Sequence, residues 1–172
     1  MDNVPSLAVH LAPTNTVRQL EQAAEKRSEE AECLKKQNRF LAALYLYGYS
    51  VEMCLAAAYF RSAGFQDIDD DLRRRRMAQA RQQRHPDDGE LLMSSDPHPL
   101  VGWARFLEWQ RRSSGGLKPR EANRLREAVQ KAKQVYKHWR PELRYKLTNV
   151  SMDQLDEVRQ CVHWFIKQRG QL

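Results

Sequence analysis

The stretch RFLAALYLYGYSVEMCLAAAYFRSAG, residues 39–64, decides the fold. It is the longest apolar run in the chain and carries one carboxylate, Glu52, near its middle. The segment between Arg39 and Arg61 has about the twenty residues needed to cross a bilayer, so a membrane span is the first reading to weigh. It fails on content. Glu52 would lie near the midplane, where an acidic side chain costs roughly 2.5 to 3.5 kcal/mol, and Tyr45, Tyr47, Tyr49 and Ser50 dilute the apolar signal. Basic residues flank both ends and give no orientation bias. The run is expected instead to be the central helix of a soluble bundle, apolar nearly all round because neighbours cover it.

On a 3.6-residue period, Leu41, Tyr45, Gly48, Tyr49, Glu52, Ala56 and Tyr59 share one side of this helix. Phe40, Leu44, Val51 and Leu55 form an ordinary packing face. The first stripe offers phenolic hydroxyls, a carboxylate, and a glycine that would let another backbone approach closely. Two readings of Glu52 stay open: a buried acid, satisfied by an arginine and tyrosines, that fixes helix packing, or a functional acid beside a cleft.

The 172 residues suit one domain with a real core. Strong helix formers dominate and strand-like alternation is lacking, so the fold class is all-α: an up-and-down bundle of about five helices plus an arginine-rich insertion. Residues 1–13, with Pro5 and Pro13, read as a flexible arm, and residues 14–170 as a single domain. Thr16 with Gln19 has capping-box spacing and opens the first helix. Gly64 closes the long one. Residues 66–95 are charged and nearly free of aromatics; their acidic start and basic continuation suit a short exposed helix, followed by a flexible loop at HPDDGE. Asp96 and Pro97 predict a cap and first turn, SSGG at 113–116 a stop, Pro119 the next start and Pro141 its end. Ser151 with Gln154 is a second capping box.

Three cysteines, Cys33, Cys54 and Cys161, lie far apart and are expected to be reduced thiols of a cytoplasmic protein. The amino terminus has no basic start, and its short SLAVHLAP run is too weak for a signal peptide. There is no phosphate-binding glycine loop, no H-E-x-x-H and no zinc spacing, so neither metal nor cofactor is expected. Of the histidines, His10, His85 and His98 are expected to be exposed or at helix ends, and His138 sits in a basic helix.

Charge is segregated. Residues 73–84 contain six arginines, among them Arg73, Arg74, Arg75 and Arg76, and no acid; residues 118–149 contain ten Lys or Arg against three Glu. Together they outweigh the net charge of +7. Such patches can hold a phosphate backbone without reading sequence, or satisfy an acidic protein partner.

Three patches rise above composition. AECLKKQNRFLAALYLYGYSVEMCLAAAYFRSAGF resembles the helix-bend-helix of HEPN domains, whose second helix carries a Gly-aromatic-x-x-Glu element, here Gly48, Tyr49 and Glu52. DPHPLVGWARFLEWQR looks like that family's helix opening with His-Asp-Leu. HWRPELRYKLTN looks like its Trp-x-x-x-x-Arg-Tyr segment, here Trp139, Arg144 and Tyr145. The resemblance covers most of residues 16–169 and implies a helical bundle paired as a homodimer. It also implies RNA cleavage by an arginine followed, after about four to six residues, by a histidine. Here Arg144 matches, but Asn149 stands where the histidine would be, and asparagine cannot exchange a proton near neutral pH. Ala56 replaces a lysine that often follows the glutamate element, and Pro99 stands in place of the acid after His98.

The resemblance and these departures imply a non-catalytic, dimeric binding module, engaging RNA or nucleotide through Arg140, Arg144, Tyr145, Asn149 and the arginine run. Glu52 is expected to form an ion pair with Arg144 or Arg140. The alternatives are an adaptor paired with a nucleotidyltransferase, of the toxin-antitoxin type, and a divergent metal-independent endoribonuclease in which Arg144, Glu52 or a nearby histidine does the chemistry.

Overall fold

The computed structural model describes residues 14–96, 98–146 and 148–172, without the side chains of Thr14, Asn15 and Arg144. The expected arm, residues 1–13, lies outside the described residues, as do His10 and Pro97.

Among the described residues the fold is an all-α bundle of six helices, 74% helical, and helix packing builds most of the core, with Ile68, Leu92, Met93 and Trp139 added from outside the helices. Helix α1 (Val17–Lys36) begins with the expected capping box: the Thr16 hydroxyl accepts from Gln19 N at 3.0 Å, and Thr16 N donates to the Gln19 side chain at 2.8 Å. A tight bend, with Asn38 in the left-handed region (φ 58°), turns the chain into α2 (Phe40–Ser62). Asparagine tolerates that conformation better than most residues. Gly64, at φ 82°, ends the segment.

Helix α2 is the centre. It packs against α1, α4 (Leu100–Ser113) and α6 (Met152–Gln168), and buries residues on every side. Among the described residues it is the one helix long and apolar enough to cross a bilayer, and more than half of it is covered by the rest of the protein. Its lower half stacks Tyr59 on Phe106 at 4.2 Å between ring centroids, with Phe60 and Trp103 alongside. Each such side chain contributes roughly 1.5 to 3 kcal/mol by leaving water. The buried apolar residues form one cluster, with α5 (Pro119–His138) adding Leu125, Ala128, Ala132 and Val135. Pro119 occupies the first position of α5, and Ser151 with Gln154 caps α6 in the expected box.

Helix α6 is pinned from outside the core. One oxygen of Glu32 accepts from Tyr47 Oη at 2.7 Å and Arg159 Nε at 2.6 Å, and lies 3.0 Å from His163 Nε2. Burial pushes the Glu32 carboxyl up, but the bonds from Arg159, Tyr47 and His163 win and hold it below the usual carboxylate range.

Three expectations need correction. A two-stranded ladder exists: β1 (Thr14–Thr16) pairs antiparallel with β2 (Asp67–Asp69), tying the start of α1 to the start of α3 (Asp70–Gln82). Three residues per strand are too few to show alternation in sequence. Helix α4 begins at Leu100, after Pro99, not at Asp96; the Asp96 carboxylate accepts from His98 N at 2.9 Å, two residues on, which makes a turn rather than a first helical turn. The HPDDGE loop is tied down: Arg84 and Leu91 form an antiparallel bridge, and Arg112 reaches Asp87 at 3.0 Å.

Candidate functional site around Glu52

Glu52 is 3% exposed, and a buried carboxylate is tolerated only where partners meet it. Two elements supply them. Arg73 Nη2, from α3, donates to Oε1 at 3.2 Å; His98 Nδ1, from the turn before α4, lies 3.0 Å from Oε2. Nδ1 is therefore the ring nitrogen engaged with Glu52, and Nε2 is the one left over. The Glu52 hydrogen bond raises the His98 pKa above its ordinary 6.5, against the opposing effect of burial. Both partners keep an outward side: the His98 side chain is 28% exposed and that of Arg73 37%.

Aromatic rings frame the pair. Tyr49 meets His98 edge to face at 5.3 Å, Trp139 at 5.4 Å and Tyr45 at 4.9 Å. Trp139 is fully buried, lies flat against Gly48, and donates its indole N–H to the Tyr45 carbonyl at 3.0 Å. This is the close approach that Gly48 permits, made by a ring rather than by backbone. Arg140, next in sequence, spreads its guanidinium 3.4 Å from the centroid of Tyr136. Tyr136 Oη in turn donates to Asp96 at 2.6 Å, and Asp96 holds the backbone of His98. Arg140, His98 and Arg73 are therefore linked through one chain of contacts.

The expected site residues separate. Glu52 takes Arg73 and His98 as partners; Arg140 packs on Tyr136 instead, because the extended backbone after α5 carries it toward that ring, and the side chain of Arg144 lies outside the described residues. The arginine run does not form one patch, since successive helical residues point about 100° apart. Arg73 turns inward to Glu52, Arg74 bonds the Asp70 carbonyl, Arg75 pairs with Asp71 at 3.1 Å, and Arg76 covers Phe65 at 4.8 Å. Tyr145 is 74% exposed, on the 3-10 turn Pro141–Tyr145. Asn149 lines a different depression, of about 370 Å³, with Asn38, Arg39 and Phe40.

His98 is the residue that sequence reasoning undervalued. Its position at a helix start gave no reason to join it to an acid on α2, and only the fold does so. His85, expected to be exposed or at a helix end, follows closely on the end of α3 but is 7% exposed and packs on α4.

Compared with models of protein families, with curated proteins and with solved structures, the chain matches none.

Proposed function

We propose that the protein is a non-catalytic binding module for single-stranded RNA or nucleotide, holding phosphate between Arg73, His98 and Arg140. The observation that carries this reading is the double engagement of Glu52: one buried carboxylate fixes a guanidinium and an imidazole, each partly exposed, on neighbouring elements. Fixed cations bind phosphate with less loss of freedom than mobile ones. Tyr45, Tyr49 and the exposed Tyr145 add faces on which bases can stack. The cytoplasm, and a homodimer of the kind the HEPN resemblance implies, fit the same reading.

The test is incubation of the purified chain with a short single-stranded RNA and a hairpin RNA, at low and moderate salt, reading binding and cleavage together. Binding that weakens with salt, leaves the RNA intact and falls in Arg140→Ala is the expected result. Absence of binding at low salt overturns the proposal and leaves a protein partner, such as a nucleotidyltransferase, as the better account. A second reading has one observation behind it: a partly exposed imidazole backed by a buried carboxylate is also the arrangement of a general acid or base. Cleavage abolished by His98→Ala would establish that reading.

A further inference from the structure

The chain between α3 and α4 turns back on itself as a hairpin. His85 N donates to the Glu90 carbonyl at 2.7 Å and Leu92 N to that of Gln83 at 2.9 Å, while Gly89, at φ 69°, closes the turn. Leu92 and Met93 are buried as its anchors, yet Leu91 is 45% exposed. That exposure is held in place. The buried Arg105 of α4 donates to the Leu91 carbonyl at 3.3 Å and pairs with Asp88 and Glu90, on either side of the turn.

Beside Leu91 a groove of about 540 Å³ runs between the hairpin, the start of α4 and α5. Its walls are mostly apolar, built by Leu91, Leu92, Pro99, Val101, Gly102 and Tyr136, with Lys133 at the edge. Arg126, Lys133 and Lys137 recur at helical spacing, so they share one exposed face of α5 over about 16 Å. Among the described residues none of the three pairs with a carboxylate; Arg126 bonds the Asn123 amide. The acids of the hairpin are already taken, Asp87 by Arg112, and Asp88 and Glu90 by Arg105. An apolar trough therefore lies along a rim whose positive charge is unmatched.

We propose that this groove is the docking site for an acidic amphipathic helix of another protein, with aliphatic side chains seated against Leu91, Pro99 and Val101 and carboxylates on Lys133, Lys137 and Arg126. Charge complementarity sets the sign of the partner. The walls set the rest. Tyr136 is the one aromatic ring that lines the groove among the described residues, and the Arg140 guanidinium already covers it at 3.4 Å, so stacked bases find little surface while leucine-like side chains find a matching one. A helix lying along α5 brings its anchors to one side at i, i+3, i+4 and i+7, over about the length of the basic stripe. The hairpin fixes Leu91 in advance, which lowers the ordering cost of binding. The groove borders the Glu52 cluster at Tyr136 but does not rest on the RNA reading.

The experiment is selection from a displayed library of random peptides about sixteen residues long, roughly four helical turns, against the immobilised full chain. Fluorescence anisotropy of the enriched peptides follows, with sedimentation of the chain alone in parallel. Enriched sequences should combine Asp or Glu with Leu, Ile or Val at helical spacing, and their affinity should fall about tenfold in Leu91→Ser and in Lys133→Glu. Both side chains are exposed, so both variants remain folded, and His163→Ala, an exposed residue elsewhere, should leave binding unchanged. A peptide with its acids replaced by lysine should lose the native chain and regain affinity for Lys133→Glu. No enrichment, enriched peptides without acidic residues, or binding that Leu91→Ser leaves intact overturns the site. A dimer that Leu91→Ser converts to monomer gives the groove to a second copy, and single-stranded RNA binding that Leu91→Ser weakens gives it to RNA; either result overturns the proposal as well.

Discussion

Replacing Gly48 by alanine tests the packing that places the candidate site. In an open helical position this change would stabilise the helix by about 1 kcal/mol. Here the added Cβ would stand 2.1 Å from Cδ1 and Nε1 of Trp139 and 2.2 Å from Cδ2. Carbon atoms in contact sit at about 3.5 Å or more, so the ring must retreat by roughly 1.4 Å. It has no free direction, being fully buried and tethered through Nε1 to the Tyr45 carbonyl. Overpacking costs about 1 to 3 kcal/mol, and leaving the buried indole N–H without its acceptor costs about 1 to 3 more. Set against the gain in helix propensity, the net loss is about 3 kcal/mol. Urea unfolding followed by tryptophan fluorescence measures it, with Trp139→Ala as a second background. Without the ring the clash is gone, so Gly48→Ala should there be neutral or stabilising, giving a large coupling between the two positions. Stabilisation by Gly48→Ala in the native background, or a loss that persists without Trp139, would refute the reasoning.

Two further outcomes are expected. The Tyr59 hydroxyl is buried with no hydrogen-bond partner among the described residues, and burial pushes its pKa up to about 12; Tyr59→Phe removes the stranded group while keeping the stack on Phe106. It should raise stability by about 1 kcal/mol, or roughly 2 to 4 °C in thermal midpoint, and a fall would contradict this. The His98 pKa is raised in the fold by its bond to Glu52, so the folded chain holds that proton more tightly than the unfolded one. The resulting stability is fully present below the ordinary value of 6.5 and is lost as pH rises through the raised value. Urea midpoints of the native chain and His98→Gln, taken from about pH 5 to 9, should therefore differ most at the acid end; a gap that is constant or grows with pH would contradict the pairing.

The helices were legible because their signals are local. Thr16 and Gln19, Ser151 and Gln154, and Pro119 mark starts through bonds or ring geometry within one turn. The apolar run of α2 identifies the central helix because only a buried one can be apolar on all sides. Glu52 stood out as a lone carboxylate in that run, but its partners did not. Arg73 is 21 residues away and His98 46, and helical periodicity within one element says nothing about which residue another element brings to it. The partners of the arginine run were hidden for a related reason: density in sequence reads as a patch, whereas a helix distributes neighbours around its axis and brings Arg73, not its neighbours, to Glu52. His85 was misread because a charged, proline-containing stretch resembles solvated loop, while the turn closed by Gly89 folds the imidazole inward.

The central claim is that Arg140 and His98 hold phosphate as members of one site. Fluorescence anisotropy of a labelled single-stranded RNA, titrated with the native chain, Arg140→Ala and His98→Ala over a range of salt concentrations, tests it most directly. Each phosphate contact contributes about 0.7 to the slope of log K against log salt for a single strand. The account predicts that Arg140→Ala lowers the slope by about that amount, equally for RNAs of different sequence, and that His98→Ala lowers it at mildly acidic pH and less above neutrality. Identical slopes for all three proteins, or no salt-dependent binding by the native chain, would contradict it.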